Sequence, residues 1–365
     1  MKKIKVGILG ATGMVGQRFV SILANHPWFE ISVLAASPRS KGLTYVDAVS
    51  TRWSLPSAIP RSVKHTTVLA VEADIDTIVQ KAEMVFCALD MDENKIKKLE
   101  LQYAKKGIPI VSNNSAHRWT PDVPMIIPEV NFNHLNLISI QKKLRGFTNG
   151  FIVVKPNCSI QSYVIILEAL KLFEPTVISV TSLQAISGAG KTFKTWPEMI
   201  DNVIPFIGGE EKKSGKEPLK IWGTLTKKGI RQAKKPLISA TCIRVAASDG
   251  HMASVSVRFK KKITKQMILS AIKNFGNPLE KYRLPSSPKS DLIHYFEDDD
   301  RPQTHSDRNY ENGMGITMGR LRPDDILDWK FIALSHNTIR GAAGGAILTA
   351  ELLVKKGYIS GKKNI

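Results

Sequence analysis

Residues 3–9 alternate into a short apolar strand and run directly into Gly10-Ala11-Thr12-Gly13-Met14-Val15-Gly16, after which residues 18–23 take up the apolar periodicity of a helix. This feature limits the possible folds more strongly than any other in the chain. Glycines at that spacing let a pyrophosphate approach the backbone, and the N-terminus of the following helix stabilises its charge, so the segment predicts a dinucleotide-binding βαβ unit. A glycine-rich turn without a ligand is the competing reading. Against it, the strand, the spacing and a second strand expected over residues 30–36 all fall where a βαβ unit requires them.

Further strand candidates at residues 68–71, 84–87 and 108–112 flank helical patterns at residues 75–81 and 93–106. Strands alternating with helices predict an α/β protein whose N-terminal part, residues 1–155, is a Rossmann-type, doubly wound parallel sheet. Beyond it the texture changes. Strand-like runs at 177–185, 237–246, 253–259 and 331–336 predict an α+β catalytic and oligomerisation domain with a mixed or antiparallel sheet over residues 156–337. The C-terminal stretch 338–365, helical over 342–356, is expected to return and complete the first domain. Residues 187–236, rich in Gly, Lys and Pro, form a long excursion expected to cover the site or a subunit partner.

The 365 residues with 43% hydrophobic content allow two domains with cores of their own. No apolar stretch approaches the ~18 to 20 residues that span a bilayer, and the opening lysines lead straight into a strand and glycines, unlike a signal peptide. Three widely spaced cysteines show no zinc-binding spacing and fit a reducing cytoplasm; Cys87 and Cys242 sit in strand-like runs and read as inert core residues. No metal site is implied. Net charge is +20, from 52 basic and 32 acidic side chains, which draws in anionic substrates. The excess is scattered, without interleaved aromatics, so a solvated surface and not a specific nucleic-acid partner is expected.

The end of the second strand reads Ala35-Ala36-Ser37-Pro38-Arg39-Ser40-Lys41-Gly42. An NAD-selective site wants an acidic residue here for the ribose 2′-OH, whereas the hydroxyls of Ser37 and Ser40 and the guanidinium of Arg39 suit a 2′-phosphate, so NADP is the expected cofactor. Arg39 as an ordinary surface residue is the alternative.

Cys158, in Lys155-Pro156-Asn157-Cys158-Ser159, falls between the apolar run Phe151–Val154 and a helical pattern through Val164, Ile165, Leu167, Leu170 and Leu172. Backbone N–H groups and the positive end of a helix beside its sulfur favour thiolate and offer an oxyanion site. A buried structural cysteine is the plainer reading, but the strand-to-helix position favours a nucleophile. A thiolate that attacks an aldehyde needs a proton acceptor, and His251, in Ser248-Asp249-Gly250-His251, directly precedes the strand at 253–259. Gln184 ends a strand and enters the glycine turn at 188–190.

These motifs, together with Ser112-Asn113-Asn114, Gly208-Gly209-Glu210-Glu211-Lys212-Lys213, Arg244 seven residues before His251, and the run from His336 to Gly345, resemble the aspartate-semialdehyde dehydrogenase family, closest to its archaeal and fungal branch. The resemblance extends over nearly the whole chain and is specific through the order and spacing of its parts. It implies Cys158 as acyl-accepting nucleophile, His251 as general acid/base and Gln184 as the residue orienting the acyl-enzyme. It further implies that Arg244 clamps the substrate α-carboxylate and Glu210 meets the α-ammonium, although the adjacent Glu211 leaves those two roles exchangeable. Lys213, Arg118 and Asn157 would hold phosphate, with Asn114 assisting. The cofactor would lie along Gly10, Thr12, Gly13, Met14, Val15 and Gly16, with Asn337 at the nicotinamide carboxamide and Ser187, Gly188 and Gly190 passing close by.

The activity so implied is NADPH-dependent reductive dephosphorylation of L-4-aspartyl phosphate to L-aspartate 4-semialdehyde, feeding lysine, threonine, methionine and isoleucine synthesis, by a homodimer or homotetramer. Malonyl-CoA reductase shares much of the pattern but has no use for Glu210 with Lys213 and Arg244. N-acetyl-glutamyl-phosphate reductase handles a blocked amine and needs no Glu210. A non-catalytic basic scaffold binding NADP and RNA rests on the net charge alone.

Overall fold

The computed structural model of the chain describes residues 2–361. Its first half runs β1 (Ile4–Leu9), α1 (Met14–Leu23), β2 (Phe29–Ala36), α2 (Tyr45–Val49), β3 (Leu69–Ala70), α3 (Ile75–Lys81), β4 (Met84–Cys87), α4 (Glu93–Lys105), β5 (Pro109–Ser112), α5 (Pro128–Asn131), α6 (Leu137–Arg145), β6 (Phe151–Val154) and α7 (Gln161–Ala169). The six strands form one wholly parallel sheet in the order β3-β2-β1-β4-β5-β6. The order reverses between β1 and β4, where a doubly wound sheet opens its crevice at the carboxyl ends of the strands. Both faces are covered, so β4, β5 and β6 are buried throughout and apolar except for Ser112 at the end of β5.

The second half runs β7 (Pro175–Gln184), β8 (Val203–Ile204), α8 (Glu210–Ile221), β9 (Thr224–Thr226), β10 (Gly229–Arg231), β11 (Leu237–Val245), β12 (His251–Phe259), α9 (Lys265–Phe275), β13 (Ile293–Tyr295), α10 (Thr304–Asp307), β14 (Ile316–Pro323), β15 (Trp329–Ser335) and α11 (Gly344–Lys355). Its seven-stranded sheet, in the order β13-β14-β15-β12-β7-β11-β8, is mixed: β7 pairs parallel with β11 and antiparallel with β12. His251 therefore does not precede a strand but opens one, in register with Ser335 of β15.

Two helices join the halves. α7 is buried at every residue except Glu168, and its apolar side chains share one core with Ile110 and Ile152 of the first sheet and Val255 and Phe331 of the second. A helix apolar on all sides is stable only when enclosed in this way, and each fully buried Ile or Leu contributes roughly 1.5–3 kcal/mol. α11 packs into the other core, with Val6, Ile8, Val111 and Phe151 of the first sheet. Of the stretch expected to complete that part, residues 362–365 lie outside the described residues.

The excursion over 187–236 is built and not loose. It holds α8, the β9–β10 hairpin and short turns, and it lays residues 190–195 along the cofactor groove described below. α8 contains Pro218, which has no N–H to give the carbonyl of Ser214. The Tyr163 hydroxyl donates to that carbonyl instead, at 3.0 Å, so a helix with a breaker inside it is held by tertiary contact.

Candidate active site

The glycine turn follows β1 with its backbone pressed against the neighbouring strand. Gly10 has φ +86°, and a Cβ there would stand 2.3 Å from the carbonyl oxygen of Ala88; a Cβ on Gly16 would stand 2.0 Å from that of Gly10. Side chains at either position are excluded, and Gly13 is left as the N-cap of α1 with extended φ and ψ. The helix thus begins at Met14, inside the turn. In front of it lies a groove of about 630 Å³ lined by Gly10, Thr12, Gly13 and Met14, by Ser37 and Arg39 at the end of β2, and by residues 88–91 after β4. Gly16 lies behind this wall as a packing residue. Ser40 is buried, with its hydroxyl 3.5 Å from the Arg52 guanidinium, and does not reach the groove.

Three cations on the groove wall had no signal in the strand–turn–helix pattern: Arg52, Lys191 and Lys194. With Arg39 they face a single carboxylate, Asp90, and a cavity so charged fits a ligand carrying several phosphate charges. The groove shares Met14, Trp53, Ser54, Lys191 and Thr192 with an adjoining space of about 400 Å³, which shares Ser187 with a crevice of about 260 Å³ around Cys158.

That crevice gathers distant segments: Val15; Asn113, Ser115 and Arg118; Asn157 and Cys158; Ser187 and Gly188; Glu210 and Lys213; and Asn337 and Gly341. Cys158 opens the short 3-10 turn Cys158–Ile160 between β6 and α7, and the Asn157 side chain caps that turn by accepting from the Ser159 N–H at 3.2 Å. Gly341 leaves the nucleophile room, since a Cβ there would stand 2.7 Å from that of Cys158.

Glu210, the first residue of α8, is the hub. It accepts from Asn157 Nδ2 at 2.7 Å, from Lys213 Nζ at 3.0 Å and from Gln184 Nε2 at 3.3 Å. Burial opposes its charge, but Lys213 and the two amides outweigh burial and hold its carboxyl below the usual range. Glu211 faces away, accepting from the Cys242 N–H at 3.3 Å.

Gln184, Arg244 and His251 stand behind the crevice, all buried. Arg244 Nη1 donates to the Ala185 carbonyl at 2.7 Å. His251 Nδ1 accepts from the Ala185 N–H at 3.1 Å, which assigns the neutral tautomer with its proton on Nε2, and that nitrogen has no partner. Both side chains converge on Gly188, where a Cβ would come within 2.9 Å of Arg244 Nη1 and 3.0 Å of His251 Nε2. Burial and the nearby Arg244 charge push His251 down to about 3, so the ring is neutral at physiological pH. The turn carrying Cys158 packs against β12, whose first residue is His251.

The sulfur departs from expectation. Burial, and then the Glu210 carboxylate, push the Cys158 thiol up to about 11, against the pull of Arg118, Lys155 and Arg244. Burial and Glu210 together favour the thiol over the thiolate at neutral pH. Asn337, which lines the crevice, accepts from the Gly250 N–H and donates one amide N–H to Ser187 Oγ, both at 2.8 Å. Asn114 turns its amide towards Cys87 Sγ, 3.7 Å away, and it is its neighbour Asn113 that lines the crevice.

The fold and the crevice together define a doubly wound dinucleotide-binding protein with a cysteine-bearing site beside the cofactor groove. Comparison with known proteins narrows the class. The sequence model for "Semialdehyde dehydrogenase, NAD binding domain" matches residues 5–138, and that for "Semialdehyde dehydrogenase, dimerisation domain" matches residues 167–340. The chain is 42% identical to the aspartate-semialdehyde dehydrogenase of Archaeoglobus fulgidus, over 98% of this chain and all of that one. It is 41% identical to that of Saccharomyces cerevisiae, over 98% of this chain and 99% of the other. The crystal structure of aspartate semialdehyde dehydrogenase with NADP from Candida albicans superimposes with a TM-score of 0.87 at 34% identity, covering 98% of this chain and 100% of that one. The chain belongs to the aspartate-semialdehyde dehydrogenase family.

Proposed function

We propose that the protein reduces L-4-aspartyl phosphate to L-aspartate 4-semialdehyde with release of phosphate, at the branch leading to lysine, threonine, methionine and isoleucine. The observation that carries this reading is the placing of Cys158, Glu210, Lys213 and Arg118 around one crevice, where a nucleophile, a partner for an ammonium group and two cations for a phosphate stand together. NADP suits the groove, whose glycine cradle and four cations match a pyrophosphate and a 2′-phosphate.

Gly10, Thr12, Gly13 and the start of α1 hold the pyrophosphate in this reading, and Ser37 and Arg39 the 2′-phosphate. When bound, the cofactor supplies or takes up hydride at the acyl carbon. Arg244 binds the α-carboxylate through its planar fork and Glu210 binds the α-ammonium. Cys158 attacks as thiolate, its sulfur–carbon bond forming as the carbon–oxygen bond to phosphate breaks; the proton lost by the thiol ends on the phosphate, which leaves as hydrogen phosphate held by Lys213, Arg118 and Asn157. Substrate ammonium at Glu210 offsets the carboxylate that, after burial, disfavours the thiolate of Cys158. Gln184 orients the thioester, the Nε2–H of neutral His251 is a donor for the oxygen as its charge develops, and once the acyl carbon is reduced the sulfur–carbon bond breaks, which releases the semialdehyde and returns the Cys158 thiolate. Gly188 leaves the gap that both Arg244 and His251 need.

The outward face of the second sheet, with Ser179 and Thr181 of β7 and Leu237, Ser239 and Thr241 of β11, is the surface through which a homodimer or homotetramer would form. Among the described residues no helix is long and apolar enough to cross a membrane, and three free cysteines suit a reducing cytoplasm. The deciding assay follows NADPH formation from aspartate semialdehyde with and without phosphate, and NADPH consumption with malonyl-CoA. Phosphate-dependent turnover with the semialdehyde is expected; reduction of malonyl-CoA in its place refutes the assignment.

A further inference from the structure

Glu217 lies two turns after Glu210 on α8, on the same helix face, and is fully buried. Its carboxylate makes two contacts that link separate parts of the crevice. Oε1 accepts from Arg118 Nη1 at 2.9 Å, and Oε2 accepts from the backbone N–H of Asn157, the residue before the nucleophile, at 2.6 Å. Arg118 is fixed on two further sides, donating from Nε to the Lys155 carbonyl at 3.0 Å and from Nη2 to the Asn113 carbonyl at 3.2 Å. A guanidinium has five N–H donors; three are spent here, which leaves one on each terminal nitrogen for a ligand. Lys220, one position short of a further turn, donates to the carbonyls of Arg118, Thr120 and Val123, so α8 grips both ends of the same loop.

We infer that Glu217 is a positioning residue for phosphate transfer, which aims the two remaining N–H groups of Arg118 into the crevice and sets the Asn157–Cys158 peptide in register with them. The inference rests on the reading of Arg118 as a phosphate ligand. A purely structural ion pair would hold the fold without favouring one ligand over another, because breaking a buried pair destabilises wherever it lies. Positioning predicts selectivity. In Glu217→Gln one amide oxygen replaces two carboxylate oxygens, and the new NH₂ confronts a donor, so either Arg118 or Asn157 loses its partner.

The test is steady-state kinetics in the phosphorylating direction on a double-mutant cycle of Glu217→Gln and Arg118→Lys. Glu217→Gln is expected to raise the KM for phosphate about tenfold or more and to leave that for NADP within about twofold, and the phosphate effect should largely vanish in the Arg118→Lys background. A matched rise in both KM values, or effects that simply add across the cycle, overturns the positioning role. Should Arg118→Lys leave the phosphate KM unchanged, the assignment of Arg118 itself fails, and that outcome is visible separately. If Glu217→Gln does not fold, Glu217→Asp keeps the charge and shortens its reach by one methylene, and the same split between phosphate and NADP decides.

Discussion

The cofactor groove and the acyl crevice adjoin, yet they are constructed in opposite ways. The groove is built on backbone at its head, where Gly10 is pressed against the Ala88 carbonyl and α1 opens its N-terminus, and four cations add charge along its wall. Its key part is contiguous in the chain. The crevice is lined from six segments between residues 15 and 342, tied by Glu210 and Glu217 across α8. Backbone recognition demands a local pattern, whereas side-chain recognition demands only that the fold bring residues together. Substitutions should therefore separate the two regions.

The largest separation is expected from Cys158→Ala, which should lower turnover by at least about a thousandfold while NADP still binds with affinity unchanged within about twofold in a fluorescence titration. Appreciable residual turnover would remove the sulfur from the mechanism. Next comes pH. Because the thiolate is the reactive form and the thiol is raised to about 11, alkylation of Cys158 by iodoacetamide in the free enzyme should rise roughly tenfold per unit from about pH 7 to 9 without levelling. A plateau in that range would mean that the turn at the head of α7 ionises the sulfur unaided.

Arg244→Lys should raise the KM for the semialdehyde by about tenfold to a hundredfold, through loss of the two-pronged carboxylate contact, with the NADP KM unmoved. Unchanged kinetics would place the carboxylate elsewhere. Arg39→Ala reverses the pattern: the KM for NADP should rise about tenfold, that for NAD much less, and the semialdehyde KM not at all. An equal effect on both nucleotides would refute the 2′-phosphate role.

The same contrast explains what was legible in the sequence. β1, the turn and α1 are written in consecutive residues, and only the start of the helix at Met14 was hidden inside the glycines. α8 was not readable as a helix, because Gly215 and Pro218 are poor interior residues and its support comes from Tyr163, about fifty positions away. With α8 unread, Glu217 had no spacing to mark it. β14 is hidden in the sequence for a different reason. Arg320 has φ +56° and the pairing with β15 shifts register between Gly319 and Arg322, so the alternation of period two breaks in mid-strand. Arg118, Glu210 and Lys213 carried no local signature and entered through the resemblance of the whole arrangement, while the cations Lys191 and Lys194 lay in a stretch read only as an excursion. Ser40 shows the reverse error, a hydroxyl of the right chemistry that the 3-10 turn at Pro38–Ser40 rotates into the core.

The central claim is that the groove and the crevice meet at an acyl group carried by Cys158. Mixing the enzyme with aspartate semialdehyde and NADP in the absence of phosphate, then following NADPH in a stopped-flow burst and mapping the adduct by mass spectrometry, tests it most directly. The account predicts about one equivalent of NADPH per site and an aspartyl thioester on the peptide containing Cys158. No burst, or an acyl group on another residue, would contradict it.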